Sequence, residues 1–377
     1  PPRSTLFPYT TLFRSVRLTA QGEPFSMFSP EAVEREQSLN MDAGVTSRRC
    51  LWHSAHGDLR VEVTRMTSFV RKGLFLLRYR ITSEGFAGKV ALASVLNADV
   101  RNHAAAGDPR VAAEPLRALR VTRIAFEDGD AVAEAETLRS GLSLCCRVAC
   151  RCRLAAKRTQ MATAAETVFT GTLAQGESVE LLQYAYYTDS RREEEPTQAA
   201  RDGLAICVGL GAEALLSEQA AYVRAFWQSA RVTINGDATL QQAMDFNLYQ
   251  LLQSTGADGV SNVAAKGLSG EGYEGHTFWD SEIYVAPFFL LTQPDTARQM
   301  LLYRWHMLPA ARSNARTLGF ARGALYPWRT IDGGECSAYF PAGSAQYHIN
   351  GDIAYAFLQY WDATGDLPFM AEHGAEV

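Results

Sequence analysis

No apolar run in this sequence reaches the roughly 20 residues that a membrane-spanning helix needs, so no membrane partner is expected. Positive charge is not in excess either. The chain has 36 Lys and Arg against 41 Asp and Glu, a net charge of −5 and a pI near 5.9. That is the wrong sign for nucleic acid, whose phosphates require a basic face. The seven histidines form no H-E-x-x-H pattern and no other metal-ligand spacing. A P-loop, a G-x-S-x-G elbow and a dinucleotide fingerprint are all missing. No metal and no organic cofactor is therefore expected. Of the seven cysteines, four cluster in CCRVACRC as Cys145, Cys146, Cys150 and Cys152. The paired C-x-x-C spacing of a zinc site is not there. Alternation along a strand puts Cys146, Cys150 and Cys152 on one face with Val148, where they fill space as small apolar groups. Free thiols without a signal peptide point to the cytoplasm.

The N-terminal stretch TLFPYTTLFRS, residues 5–15, is apolar enough to raise the question of a targeting segment. Pro8 and the threonines interrupt its apolar run, and no small-residue cleavage site follows. Back-translated, it reads as one frame of a common sequencing adapter. Residues 1–15 are therefore expected to be an artefact, or else a disordered tail, with protein proper starting near Val16.

What is present is an ordinary globular composition, 47% apolar and 20% charged, in a chain long enough for two domains. Residues 16–195 read as strands. RVEVTRM, LFLLRYRI and KVALASVL alternate or run apolar over short lengths. Gly57-Asp58, Gly85, Gly88 and Asp128-Gly129-Asp130 mark turns between strands. Many short strands with few helices indicate an antiparallel β-sandwich. At SRREEEP the period becomes helical. Residues 196–235 form a helical linker, and helices are expected at 281–292, 295–317 and 346–364, with another from Pro368. Pro294 suits a helix start, and Thr364-Gly365-Asp366 suits a stop. The overall class is α+β multidomain, with an all-α region over 236–377 after the sandwich. This helical array looks unfinished, so apolar faces are expected to stay exposed.

Two loops carry candidate chemistry. In KGLSGEGYEGHTFWDSEIYVAPFF, residues 266–289, five glycines precede Trp279 and Asp280 at the entrance of a helix. Glycines let backbone approach a ligand. An indole face stacks on pyranose C–H groups, and a carboxylate accepts from two neighbouring hydroxyls. The same residues also fit a plainer reading, with Asp280 as helix N-cap and Trp279 as core. Motif logic leaves both open. Asp280 and Glu282 lie two apart and point in different directions, so they are a poor acid/base pair. The second loop, residues 324–352, is long and rich in aromatics, Pro and Gly. Trp328, Arg329, Asp332, Glu335 and His348 are its candidates, each also open to a structural role.

GEGYEGHTFWDSEIYVAPFFLLTQPDTARQMLLYRWHML resembles the start of the catalytic barrel of glycoside hydrolase family 65, which includes maltose, trehalose, kojibiose and nigerose phosphorylases. YPWRTIDGGECSAYFPAGSAQYHINGDIAYAF is similar to the next block, and LQQAMDFNLYQLLQS to the first barrel helix. SLNMDAGVTSRRCLW and LFLLRYRITSEGFAGKVAL resemble the N-terminal sandwich. The resemblance implies a β-sandwich, a linker helix and an (α/α)6 barrel, here incomplete. It also implies attack by inorganic phosphate, with inversion, on an α-linked glucose disaccharide, releasing β-glucose 1-phosphate. Trp279 and Asp280 would hold the transferred glucose, and Trp328 and Glu335 would line the same pocket. Relatives often carry two acids where this chain has Gly334-Glu335. Family members are commonly dimers, so a homodimer is implied.

The family's general acid lies in a later G-P-D-E-Y block, beyond Val377. None of Asp280, Glu282, Asp332 or Glu335 is promoted to that role, and the chain alone is expected to be inactive. A hydrolase of the same family and a sugar-binding fragment are the alternative readings.

Overall fold

A computed structural model describes residues 15–101, 107, 117–269, 272–337 and 345–377. The tail read as adapter lies outside the described residues, except that Ser15 opens strand β1 (Ser15–Ala20). The chain divides into two compact units, one ending at Ala225 and one running from Phe226 to Val377.

In the first unit, thirteen strands form two antiparallel sheets among the described residues. The smaller sheet has the order β11 (Ala155–Gln160), β12 (Ala164–Leu173), β7 (Gly88–Asn97), β1 and β2 (Glu23–Pro24). The larger runs β3 (Ala32–Asn40), β4 (Val45–Ser54), β5 (Gly57–Thr67), β6 (Leu74–Ser83), β13 (Ser178–Asp189), β10 (Ser143–Cys152), β9 (Asp130–Thr137), β8 (Leu119–Glu127). Side chains alternate across a strand, so every second residue faces the opposing sheet. In β7 those are Val90, Leu92, Ser94 and Leu96, all buried. Val90 and Leu92 join a core built around Leu18, Trp52, Val61, Ile81, Phe86 and Phe169, and Leu96 joins a neighbouring cluster with Ile124 and Val148. Each large side chain removed from water there contributes about 1.5–3 kcal/mol. The polar member, Ser94, is not stranded, because its hydroxyl accepts a hydrogen bond from Gln183 Nε2 at 2.6 Å.

The expected cysteine face is present. Cys146 and Val148 lie in the apolar core, and Cys150 and Cys152 pack against it. All seven cysteines are free thiols. Helix α1 (Pro196–Leu210) starts on Pro196 and lays Ala200, Leu204 and Cys207 on the sheet. Gly203 makes that approach possible, since a Cβ there would lie 2.4 Å from the Tyr186 ring. Helix α2 (Ala212–Ala230) follows at once, bent 97° from α1. Among the described residues no single helix is long and apolar enough to cross a membrane.

The second unit is helical. Helix α3 (Ala238–Ser254) is capped by the Asp237 carboxylate, which accepts from Leu240 N at 2.9 Å. Then come α4 (Ala286–Thr292), α5 (Pro294–His306), α6 (Leu308–Thr317), α7 (His348–Thr364) and α8 (Leu367–Glu372). Phe289, Met300, Leu301, Met307, Ile353 and Phe357 form their common core. Gly365 adopts φ +64° and ends α7, as its position after Thr364 predicts. The single helix expected over 295–317 is two helices, broken at Met307. Pro309 has no N–H to continue the α5 ladder, but it is tolerated in the first turn of a new helix. Apolar side chains do stay exposed on this unit, among them Leu240, Leu291 and Leu358.

Candidate functional site

The glycine-rich loop reaches its helix through a left-handed turn. Tyr273 and Glu274 have φ of +64° and +52°, followed by Gly275 at +80°. Consecutive non-glycine residues in that region are strained and need support. Support comes from the Tyr273 carbonyl, which accepts from His276 N at 2.9 Å and from His276 Nδ1 at 2.7 Å. Arg329 Nη2, from the second loop, donates to Glu274 Oε2 at 3.3 Å. Burial lowers the His276 pKa, and the Arg329 guanidinium pushes the same way. The ring is therefore suited to donating from Nδ1 as a neutral imidazole.

The two candidate loops are joined by backbone. Thr277 and Thr330, both buried, form an antiparallel bridge. Phe278 follows, buried and packed edge-on against Tyr273 (5.2 Å between ring centroids) and Trp328 (5.0 Å). Trp279 is half-buried and meets His348, the first residue of α7, edge-on at 5.2 Å. Trp279 and Trp328 both border the helical core.

Asp280 is exposed and has helical backbone angles, and its side chain makes no cap hydrogen bond. The N-cap alternative is thus set aside. An N-cap needs extended angles so that its carboxylate can turn back onto the following amides. Among the described residues Asp280 has no ion-pair partner.

The helix it enters opens as a π-helical turn, Ser281–Val285, before α4. Glu282 in that turn is buried and forms a two-pronged ion pair with Arg304 of α5. Nε donates to Oε1 at 2.8 Å and Nη2 to Oε2 at 2.7 Å. Burial disfavours the Arg304 charge, but the Glu282 carboxylate outweighs it and holds the guanidinium above its usual pKa. Asp280 and Glu282 therefore face different environments, as their spacing predicts.

The carboxylate of Glu335 is exposed but engaged. Its Oε2 accepts from Trp328 N at 2.6 Å, and its Oε1 accepts from Arg329 N at 3.3 Å and Ser337 N at 2.8 Å. It folds its own loop around Trp328. Asp332 makes a local turn, accepting from Gly334 N at 3.1 Å. The structure thus places Trp328 against Glu335, and Trp279 against His348, with Phe278 bridging the two loops. Arg304 is the residue that sequence reasoning missed. Its signal was an arginine at helical spacing from apolar Met300 and Leu308, which asks for an acid partner without saying which one.

Comparison with known proteins places this geometry in a family. The profile of the Glycosyl hydrolase family 65, N-terminal domain matches residues 13–226, and that of the Glycosyl hydrolase family 65 central catalytic domain matches residues 245–377. The chain is 43% identical over 361 residues to an alpha,alpha-trehalose phosphorylase of Geobacillus stearothermophilus, covering 94% of this chain and 47% of that protein. A kojibiose phosphorylase of Escherichia coli (strain K12) is 32% identical over 384 residues, covering 95% and 49%. A solved structure described as a kojibiose phosphorylase from the human microbiome superposes with a TM-score of 0.86 at 19% identity, covering 96% and 47%. The last likeness bears on the fold alone. The chain spans about half the length of the curated relatives it matches. On both domain profiles and these relatives, the chain belongs to glycoside hydrolase family 65.

Proposed function

We propose that the whole protein is an inverting phosphorylase of an α-linked glucose disaccharide, and that this chain supplies the corner holding the transferred glucose. The observation that carries the reading is the pair Trp279–Asp280, a half-buried indole beside an exposed carboxylate that has no cap bond and, among the described residues, no ion pair. The pair stands inside the segment that matches the family's catalytic domain. Asp280 would accept hydrogen bonds from glucose hydroxyls while Trp279 packs on the C–H face. Trp328 would border the same pocket, and Glu335 would act by shaping the loop that carries Trp328.

In the reaction a phosphate oxygen bonds to the anomeric carbon as the glycosidic C–O bond breaks, and a proton goes to the leaving oxygen. Attack from the opposite face turns an α-glucoside into β-glucose 1-phosphate. None of the acids described above is proposed as the proton donor. Glu282 is locked to Arg304, Glu335 is spent on backbone amides, and Asp280 is assigned to the sugar. This chain alone is accordingly proposed to bind sugar without turning it over. Seven free thiols fit a cytoplasmic location.

The test incubates the whole protein with trehalose first, then kojibiose, maltose and nigerose, with and without inorganic phosphate. Glucose 1-phosphate formed only when phosphate is present, and lost in Asp280→Ala, is the expected result. Equal glucose release without phosphate makes the protein a hydrolase. Full activity in Asp280→Ala removes the site assignment.

A further inference from the structure

Arg304 and Glu282 are 0% and 1% exposed. A buried ion pair is a poor way to gain stability, because desolvating both charges offsets most of their attraction. Apolar side chains of similar volume often serve as well or better. The pair therefore calls for a reason other than stability, and its connections supply one. The Nη2 that reaches Glu282 also donates to the carbonyl of Phe278 at 2.9 Å. Phe278 precedes Trp279, and Glu282 follows two residues after Asp280. One guanidinium thus grips the chain on both sides of the Trp279–Asp280 step.

The turn it grips is an unusual one. Ser281–Val285 is π-helical, a wider winding that is rare and occurs mostly as single turns at functional sites. It holds one residue more than an α-helical turn would. Rewinding to α-helix would rotate Trp279 and Asp280 by about 100° relative to α4. Among the described residues the Asp280 side chain has no bond to resist that, and the Trp279 ring, at the border of the helical core, meets His348 edge-on and Tyr284 at a tilt.

We propose that Arg304 is a positioning residue, whose fork to Glu282 and the Phe278 carbonyl keeps the π turn wound and so aims Trp279 and Asp280 at the sugar. The sugar-holding role rests on the function proposed above, whereas the clamp can be tested without it.

The experiment compares the whole wild-type protein with Arg304→Met/Glu282→Leu and with Arg304→Lys, which keeps the charge but not the fork. Three readouts are taken: thermal unfolding, amide hydrogen exchange, and kcat/KM per folded molecule. The apolar double variant is expected to melt within about 4 °C of wild type. Amides of Ser281–Val285 should exchange about tenfold faster or more, while those of α7 stay as in wild type. The kcat/KM is expected to fall about 100-fold, as for a misplaced binding group. Arg304→Lys should fall between the two on both exchange and kcat/KM. Unchanged exchange at Ser281–Val285 in both variants overturns the clamp, whatever the activity. Faster exchange with unchanged kcat/KM overturns the positioning role. A wild-type protein that cleaves no α-glucoside refutes the proposed function instead, and exchange still decides the clamp. If the double variant does not fold, Arg304→Lys alone decides by the same two readouts.

Discussion

Thr277 and Thr330 exchange backbone hydrogen bonds, Thr277 N to Thr330 O at 2.8 Å and Thr330 N to Thr277 O at 3.1 Å. Two loops whose bridging threonines stand 53 residues apart in sequence are thereby held side by side, one carrying Trp279 and Asp280, the other Trp328 and Glu335. Around the bridge, Phe278 packs on Trp328, and Arg329 braces the left-handed turn at Tyr273–Glu274. A change in either loop therefore reaches the other.

Asp280 separates function from stability most cleanly. It is exposed, makes no cap hydrogen bond and, among the described residues, pairs with no base. Asp280→Ala is expected to change unfolding free energy by no more than about 0.5 kcal/mol, as for ordinary surface positions. Each charge-assisted hydrogen bond lost to a sugar hydroxyl should cost about 10- to 100-fold in kcat/KM. Steady-state kinetics with a thermal melt on the same sample checks both halves.

Glu335 should behave differently from Asp280. Removing its carboxylate leaves the amides of Trp328, Arg329 and Ser337 without their acceptor. Glu335→Ala is expected to loosen residues 328–337, so that limited proteolysis within them runs several times faster while glucose inhibits more weakly. Glu335→Gln keeps one oxygen acceptor and should lie between Ala and wild type. Equal proteolysis in all three would mean that the carboxylate does not organise the loop.

These contrasts show what could be read in advance. The sandwich is legible because its strands alternate and are punctuated by glycines, a local signal that burial merely completes. The Trp279–Asp280 corner is legible because a glycine-rich loop, an indole and an acid are adjacent in sequence. The break at Met307 is not, since Pro309 fits the first turn of a new helix about as well as it fits a kink. The Arg304–Glu282 pair is not either, because its partners stand 22 residues apart on separate helices. The extra residue of the π turn leaves no mark in the periodicity of so short a segment.

His276 makes the first loop sensitive to pH. Burial depresses its folded pKa below the ordinary 6.5, Arg329 adds to the effect, and the Tyr273 carbonyl, Glu274 and Asp332 oppose it. The unfolded chain therefore takes up the proton first. Its stabilising contribution is fully present above pH 6.5 and is lost as pH falls through the folded value. Melting temperature should drop between pH 7 and pH 5, and His276→Gln should show a shallower drop over that window. Parallel curves for the two proteins would remove His276 as the cause.

Cys336 offers a reporter inside the site. It is the exposed cysteine in a chain whose other six are buried or half-buried. Its pKa is raised by partial burial and by the charges of Asp332 and Glu335, against Arg329. Only the thiolate attacks a disulfide reagent, so the folded protein should show one thiol reacting ahead of the rest, slowly at pH 7. Its rate should climb as pH approaches the raised value. Asp332→Asn removes one raising charge while keeping an oxygen for Gly334 N. It should speed the reaction at pH 7 by a factor of about five at most, as one screened charge allows. The same variant also separates charge from loosening. A pure charge effect vanishes at high pH, where both proteins are fully thiolate. Loop opening would leave the variant faster at every pH.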